Sequence, residues 1–329
     1  MMKQSSIYFN DSKKQNIISK QYKFIDLFAG IGGIRTGFEK VFKEHSNFVF
    51  SSELDKYAQI SYYSNYNELP HGDITQIHEK DISAHDIILA GFPCQAFSIA
   101  GLRKGFEDTR GTLFFDVARI AQYHKPKVIF LENVKGFVNH DKGNTFKVVK
   151  ETLENMSYSV FYKVLNAKDF GVPQNRERIY IVAFLGKDIN FSFPQPIQKE
   201  IKLGDILDKK VDSKYTISDK LWEGHKRRKE EHKQKGNGFG YCLFNHESKY
   251  TSTISARYYK DGSEILIEQD NMNPRKLTPR EAARLQGYDD NFKIVVSDTQ
   301  AYKQFGNSVA VPVIEAIAKN IKKTLEFYF

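Results

Sequence analysis

Five continuous, largely apolar segments constrain the fold of this chain more than any other feature of its sequence. They occupy residues 24–28, 48–52, 86–90, 128–131 and 179–184. A strand with one face in water alternates apolar and polar residues, whereas a strand covered on both faces is apolar throughout. Helical patterns separate the segments, beginning with residues 34–42. The sequence therefore predicts an α/β fold with a doubly wound, mostly parallel sheet.

Polar or glycine-containing residues follow several of the predicted strands. In a doubly wound sheet, the ligand crevice lies beyond the carboxyl ends of the strands. A glycine turn at residues 30–33 lets the backbone approach a ligand closely, although tight packing alone can also require such a turn. Glu53 is a candidate acceptor for ribose hydroxyls, with a surface acid as the alternative, and Asp73 is a candidate acceptor for an adenine amine.

Cys94 lies in the motif Pro93-Cys94-Gln95, directly after a predicted buried strand. The chain has two cysteines, which are too few for a disulfide framework. A thiol at a strand end, near basic groups or a helix N-terminus, has an increased thiolate fraction and is a candidate nucleophile. A buried structural cysteine is the alternative, and we assign that role to Cys242.

Glu132, Arg176 and Arg178 are further candidates for chemistry. Glu132 follows the predicted strand at 128–131, where partial burial raises the pKa of a carboxyl and lets it share a proton with a ring nitrogen. An ion pair with a lysine is the alternative. Arg176 and Arg178 are two residues apart and therefore on one face of an extended segment. They suit oxygen acceptors on a base or phosphate, or Arg176 forms a surface salt bridge with Glu177.

A change of composition after about residue 196 predicts a second domain. Residues 1–196 form the first part of a catalytic and cofactor-binding domain, 197–296 a smaller domain, and 297–329 a return to the first, with a helix at 311–327. Short strands are predicted at 253–259 and 264–267. The basic run at 225–235 is either a nucleic-acid contact or a solvated, mobile loop.

The net charge of +9 favours a polyanionic partner such as nucleic acid. No apolar run approaches the roughly 20 residues of a transmembrane helix, and the N-terminal segment lacks the apolar centre of a secretory signal. We therefore expect a cytoplasmic protein with no membrane partner. No residues have the spacing of a metal site.

Eight motifs, in this order, resemble those of the cytosine-5 DNA methyltransferase family found in bacterial restriction–modification systems. They are DLFAGIGG at 26–33, ELD at 53–55, GDI at 72–74, GFPCQ at 91–95, ENV at 132–134, QNRER at 174–178, RKLTPREAARLQG at 275–287 and GNSV at 306–309. The resemblance extends from about residue 22 to the C-terminus. It implies a Rossmann-like domain that binds S-adenosylmethionine, leaves S-adenosylhomocysteine as product, and needs no metal.

The resemblance implies a catalytic role for each of four residues. Cys94 would add to carbon 6 of a flipped-out cytosine, and Glu132 would protonate or hydrogen-bond its N3. Arg178 would contact the base O2, and Arg176 would lie near the thiolate. The residues expected to bind the cofactor are Asp26, Phe28, Gly30, Gly32, Glu53, Leu54, Asp73, Ile74, Pro93 and Asn307. Leu54 replaces the tryptophan of some members, so apolar packing would take the place of aromatic stacking on the adenine.

The resemblance also implies that the second domain, for target recognition, reads the DNA sequence. Its segments at 236–241 and 255–262 look like those of members that modify the inner cytosine of CCGG or CCWGG sites. Arg257 is the candidate guanine contact, with a phosphate contact as the alternative. The residues expected at the DNA are Gln95, Arg103, Lys104 and Arg110 of a closing loop, and Arg257, Tyr258 and Lys260 of the second domain.

The activity expected from this resemblance is methylation of cytosine in double-stranded DNA by a monomer, which protects the DNA from a separately acting restriction endonuclease. Methylation of tRNA by the same chemistry is one alternative, which the large variable domain disfavours. A non-catalytic DNA-binding protein is another, which intact Cys94, Glu132 and Arg178 disfavour. An amino-methyltransferase would need an Asp/Asn-Pro-Pro-aromatic element where Pro93, Cys94 and Gln95 stand.

Overall fold

The structure is a computed structural model that describes residues 21–93, 113–197, 199–238 and 240–329. Its strands are β1 (Tyr22–Leu27), β2 (Ser46–Ser52), β3 (Ile87–Ala90), β4 (Val128–Val134), β5 (Tyr158–Asn166), β6 (Glu177–Leu185), β7 (Leu243–Phe244) and β8 (Leu266–Ile267). Its α-helices are α1 (Gly33–Phe42), α2 (Lys56–Tyr66), α3 (Leu113–His124), α4 (Asn144–Asn155), α5 (Asp219–Gln234), α6 (Pro279–Leu285), α7 (Asp298–Asn307) and α8 (Val311–Tyr328). Within these described residues, no helix has both the length and the apolar character needed to cross a membrane.

Six strands form one sheet in the order β2-β1-β3-β4-β6-β5. The first four are mutually parallel, whereas β6 is antiparallel to both β4 and β5. The predicted doubly wound, mostly parallel sheet is confirmed. Strand β5 is not among the predicted strands; it lies at the edge of the sheet and is mostly only partly buried.

Both faces of this sheet are covered, because alternate residues of each strand point to opposite sides. On one face, Phe24 and Phe130 pack against α1 and α8. On the other, Ile25 and Ile129 pack against α3 and α4. The continuous apolar segments of the sequence follow from this double coverage. The helix predicted at 311–327 is α8, and it packs on the sheet.

A third apolar cluster joins the second half of the chain to the last helices. It includes Leu203, Ile254 and Ile267, together with Ala283 of α6 and Phe305 of α7. The small parallel pair of β7 and β8 lies beside it. Because the cluster extends across residue 296, it does not separate the predicted second domain from the last segment, and the domain boundaries stay a prediction.

One local prediction for this half is wrong, and one of the two alternatives for the basic run is excluded. Residues 256–260 form turns rather than a strand, since Tyr258 N–H donates to the Ser255 carbonyl and Lys260 N–H to that of Arg257. Most of the basic run at 225–235 lies in α5 instead of a mobile loop. Ser218 caps this helix by accepting a hydrogen bond from the Leu221 amide, which helps to stabilise it.

The sheet brings the carboxyl ends of its parallel strands to one edge. Antiparallel β6 begins at this same edge, where Arg178 pairs with Val134 of β4. Since β1 lies between β2 and β3, the chain leaves the sheet in opposite directions at this point, which creates a crevice. Residues that follow four different strands therefore face a common space.

Candidate active site

A cleft of about 780 Å³ lies at this edge of the sheet. This volume is typical of small-molecule sites. One wall is formed by residues that follow β1, β2 and β3 and by the last residues of β4, and the other by residues 256–260 and 300–309. The predicted site residues that line it are Phe28, Gly30, Glu53, Leu54, Pro93, Glu132, Arg176, Arg178, Arg257, Lys260 and Asn307.

The glycine turn after β1 is fixed by the chain that follows β2. Phe28 and Gly30 adopt left-handed backbone conformations, with φ of 55° and 56°. The Gly30 amide donates to Glu53 Oε2 at 2.8 Å, and the Asp55 amide donates to Oε1 at 2.7 Å. The Glu53 carboxylate is thus held at the cleft with further lone pairs for a ligand. Leu54, next to it, is 72% exposed.

Four residues predicted to bind the cofactor are not among those that line the cleft. Gly32 lies against Tyr66, whose ring would be 2.2 Å from a Cβ at this position, so packing explains this glycine. Asp73 accepts hydrogen bonds from the amide and hydroxyl of Thr75, and Ile74 is buried in the apolar core.

Asp26 is the fourth of these residues, and it lies in β1. Its side chain is 1% exposed, and its Oδ2 accepts from the Tyr62 hydroxyl at 3.3 Å. Its Oδ1 has no hydrogen-bond partner among the described residues. Burial raises the pKa of Asp26 to about 8, against the opposing effect of Arg35.

Glu132 and Arg178 form an ion pair at the floor of the cleft. Arg178 Nε lies 3.2 Å from Glu132 Oε1, and their side chains are 16% and 12% exposed. The antiparallel register places them together, because Glu132 pairs with Tyr180 and Val134 with Arg178. Burial raises the pKa of Glu132, while Arg178 and Arg176 oppose the shift. The arrangement favours a carboxyl group that can share a proton.

Pro93 is the last described residue before a gap, and it lines the cleft. The preceding loop is tied to β4, since Asn133 donates to the Phe92 carbonyl at 2.9 Å. The predicted residues Cys94, Gln95, Arg103, Lys104 and Arg110 lie outside the described residues. Their roles stay predictions.

Arg176 connects three backbone segments instead of pairing with a surface acid. Its side chain donates to the carbonyls of Ile254, Gly306 and Ser308, and the residue is 2% exposed. Burial and the neighbouring Arg178 lower the pKa of Arg176 to about 9, so the group remains charged at neutral pH. Since its guanidinium is engaged with the backbone, positioning is the role that its contacts support.

The turn at residues 256–260 places adjacent side chains in different environments. Arg257 and Lys260 line the cleft, as does Tyr259, whose ring lies 5.1 Å from Lys303 Nζ. Tyr258 is fully buried, and its hydroxyl donates to the Ile265 carbonyl and accepts from the Leu277 amide. Tyr258 is therefore a core residue, and we do not assign it a contact with DNA.

Helix α7 contributes lining residues that the sequence analysis did not identify. They are Gln300, Lys303 and Gln304, on the same helix face as Asn307. Gln304 Oε1 accepts from Ser61, whereas its Nε2 is buried without a partner among the described residues. Lys303, Gln304 and Asn307 follow Gln300 by three, four and seven residues, and this helical spacing could have identified the shared face from the sequence. No group of side chains able to hold a metal occurs in the described part of the chain.

Comparisons with known proteins identify the family of this chain. The family of C-5 cytosine-specific DNA methylases matches residues 22–323. The type II methyltransferase M.SsoII of Shigella sonnei is 62% identical over 310 residues, covering 93% of this chain and 81% of the relative. The type II methyltransferase M.HpaII of Haemophilus parainfluenzae is 46% identical over 329 residues, covering 94% of this chain and 91% of the relative.

Solved structures support the fold independently. The Dnmt2 methyltransferase of S. pombe has a TM-score of 0.76 at 20% identity, covering 94% of this chain and all of the other. The methyltransferase EhMeth of Entamoeba histolytica has a TM-score of 0.75 at 23% identity, with the same coverage. The fold, the order of the motifs and the sequence relatives lead to one conclusion: this chain belongs to the C-5 cytosine-specific DNA methylase family.

Proposed function

We propose that this enzyme transfers a methyl group from S-adenosylmethionine to the 5-carbon of a flipped-out cytosine in duplex DNA. The observation that carries the proposal is that the Glu132–Arg178 pair and the Gly30–Glu53 turn line one cleft. The Glu132–Arg178 pair suits a base whose ring nitrogen gains a proton, and the Gly30–Glu53 turn suits a nucleoside cofactor. Family membership supports both assignments.

The residues at the glycine turn fit S-adenosylmethionine. A Cβ at Gly30 would meet nothing within 4 Å, so the backbone is open to a ligand there. Glu53 would accept hydrogen bonds from ribose hydroxyls, and exposed Leu54 would pack on the adenine. Asn307 would contact the cofactor from the opposite wall. When bound, this cofactor supplies an electrophilic methyl group on a sulfonium.

Cys94, Glu132 and Arg178 would activate the cytosine. The Cys94 thiolate adds to carbon 6, and the electron pair of the ring double bond makes carbon 5 nucleophilic. Glu132 protonates or hydrogen-bonds N3, and Arg178 holds that carboxyl and donates to O2. After methylation, loss of the proton from carbon 5 expels Cys94 and restores the double bond. The base must first leave the duplex, which costs a few kcal/mol.

We further propose that residues 197–296 recognise the DNA site, with Arg257 and Lys260 at its contact surface. Both line the wall opposite the glycine turn, and the net charge of +9 favours a polyanion. The target would be of the CCGG or CCWGG type. Methylation there would protect DNA from a restriction endonuclease, as the type II relatives suggest by name.

Methyl transfer from labelled S-adenosylmethionine to defined nucleic acids tests the proposal. Duplex oligonucleotides with CCGG or CCWGG are compared with scrambled duplexes and with tRNA. Label confined to target-bearing duplexes is expected, and bisulfite sequencing then identifies the modified cytosine. Label in tRNA alone would overturn the assignment of DNA as substrate.

A further inference from the structure

We propose that Arg176 and Gly306 are positioning residues that hold the target-recognition segment (residues 254–260) and the cofactor-binding segment (residues 305–309) together as one unit. The inference rests on the proposed function. It goes further by naming the contact through which DNA binding and cofactor binding affect each other.

The Arg176 guanidinium joins the two segments directly. It donates to the Ile254 carbonyl at 3.1 Å on one side, and to the Gly306 carbonyl at 3.2 Å and the Ser308 carbonyl on the other. The side chain is buried, so water does not compete for these bonds. A charged donor on carbonyl acceptors forms stronger bonds than a neutral donor does.

Gly306 lets the same two segments touch through their backbones. A Cβ built on Gly306 would lie 2.3 Å from the carbonyl carbon and oxygen of Ser255 and 2.4 Å from the Ala256 nitrogen. Backbone atoms on both sides cannot yield as a flexible side chain can. Any side chain at residue 306 therefore has to displace the recognition segment.

Two fully buried glutamines fix the surroundings of this contact. Gln174 Oε1 accepts from the Ile254 amide, and its Nε2 donates to the Leu285 carbonyl and to Gln286 Oε1. Gln286 Nε2 in turn donates to the Phe305 carbonyl at 2.6 Å. The Ile254 amide is thus bound by Gln174, which is linked through Gln286 to the chain before Gly306, and the Ile254 carbonyl is bound by Arg176.

The contact lies between residues to which the proposed function assigns different ligands. Ala256, Arg257 and Lys260 follow it in the recognition segment, whereas Asn307 and Ser308 follow it in the other, and all five line the cleft. A ligand that orders one segment reduces the entropy cost of ordering its neighbour. Cofactor and target DNA should therefore increase each other's affinity by the same factor.

The test is a thermodynamic cycle with S-adenosylhomocysteine and a target duplex. Calorimetry gives the Kd of S-adenosylhomocysteine for the enzyme alone and with saturating duplex, and fluorescence anisotropy gives the Kd of the duplex with and without S-adenosylhomocysteine. We expect each ligand to lower the Kd of the other by about tenfold or more. In Gly306→Ala this factor falls to about one.

Gly224→Ala is the matched control, because a Cβ there meets nothing within 4 Å, and it should keep the full factor. Arg176→Lys is the second variant and serves if Gly306→Ala does not fold. Lysine keeps the charge, but its single nitrogen cannot take the places of both Nη1, which bonds Ile254, and Nη2, which bonds Gly306 and Ser308, so the factor also falls. A merely structural defect would raise the Kd of each ligand measured alone, but the factor by which each ligand changes the Kd of the other would stay the same.

The outcomes separate this inference from the proposed function. An unchanged factor in a folded Gly306→Ala or Arg176→Lys variant would overturn the inference, as would a factor of one in the unmodified enzyme. Failure of the unmodified enzyme to bind S-adenosylhomocysteine at all would instead overturn the proposed function.

Discussion

Burial and a positive neighbour act in opposite directions on the carboxyl of Glu132. Burial disfavours the charge and raises the pKa, whereas the Arg178 guanidinium 3.2 Å away stabilises it. The net direction is upward, which keeps a proton available nearer to neutral pH than an exposed glutamate would. A group that shares a proton with a base nitrogen needs this balance.

Glu132→Gln should lower the rate of methyl transfer by about 10²–10⁴-fold, the usual contribution of general acid catalysis. Glutamine has nearly the same shape and still forms a hydrogen bond, but it cannot give a proton. Single-turnover transfer of a labelled methyl group measures the rate. Glu177→Gln is the control, since Glu177 is part of an exposed pair with Lys135. A Glu132→Gln rate equal to that of the control would exclude the proton-sharing role.

The buried carboxyl of Asp26 should make stability depend on pH. Its pKa is raised to about 8 in the folded chain, so the folded state binds more protons than the unfolded state from about pH 4 to 8. Stability attributable to this group is therefore greatest at low pH and falls as the pH rises to about 8. The slope is at most about 1.4 kcal/mol per pH unit.

Asp26→Asn should remove this dependence, because the amide resembles the neutral acid. Urea unfolding between pH 5 and 8 gives the free energy of unfolding for both proteins. The unmodified protein should lose stability relative to the variant as the pH rises. A difference that does not change with pH would show that Asp26 is already ionised in the folded state.

At the residue scale, the sequence predicted the residue types of the site better than their orientations. Tyr258 and Tyr259 are adjacent in a turn, where no regular period indicates which of them is buried. Gln304 and its neighbours on α7 were predictable in principle from their helical spacing. Arg176 could not be assigned its contacts, because all three acceptors lie more than 70 residues away in the chain.

At the scale of elements, the direction of β6 decides the geometry of the site. An antiparallel β6 starts at the edge where β4 ends, and only this direction brings Arg178 to Glu132. The sequence predicted the strand but not its direction, because a buried apolar segment has the same composition either way. Helix α5 was missed as a helix for the opposite reason: its residues are mostly exposed and show little apolar period.

Helix α6 is stabilised by a buried ion pair between Arg275 and Glu281, and Glu281 also takes part in the capping of this helix. Glu281 accepts from both terminal nitrogens of Arg275, at 2.7 and 2.9 Å, and from the amides of Thr278 and Asp208. Thr278 caps the helix in return by accepting from the Glu281 amide. The pair is almost fully buried, at 6% and 0% side-chain exposure.

Glu281→Ala should lower the free energy of unfolding by about 3–5 kcal/mol, because it leaves the Arg275 charge buried without its partner. Urea denaturation measures the loss. Lys319→Ala is the control, since it removes an exposed pair with Glu315 and should cost at most about 0.5 kcal/mol. Equal losses in the two variants would contradict the account of this ion pair.

At the scale of the whole molecule, the cleft depends on contacts between distant parts of the chain. The sheet was predictable because a strand that is buried on both faces is a continuous apolar segment, which is visible in the local sequence. The opposite wall was not, because residues 254–260 and 300–309 are brought to the sheet by Gln174, Arg176 and Gln286. A local pattern does not encode such long-range hydrogen bonds, so the sequence predicted a second domain but not how it closes the site.

The net charge of +9 should be visible in the salt dependence of DNA binding. Each phosphate neutralised by a basic group releases a counterion, so log K falls against log [salt] with a slope of about −0.9 per phosphate. Binding of a target duplex at several salt concentrations gives this slope. A flat response would exclude DNA backbone contacts as a main source of affinity.

The proposed mechanism depends on a covalent bond between Cys94 and the cytosine that is methylated. A duplex with 5-fluorocytosine at the target traps this bond, because the fluorine cannot leave as the proton does. Mass spectrometry of the enzyme incubated with this duplex and S-adenosylmethionine should show an adduct on Cys94 in the unmodified enzyme and in Cys242→Ala, and none in Cys94→Ala. An adduct in Cys94→Ala, or methyl transfer to ordinary DNA by that variant, would contradict this mechanism.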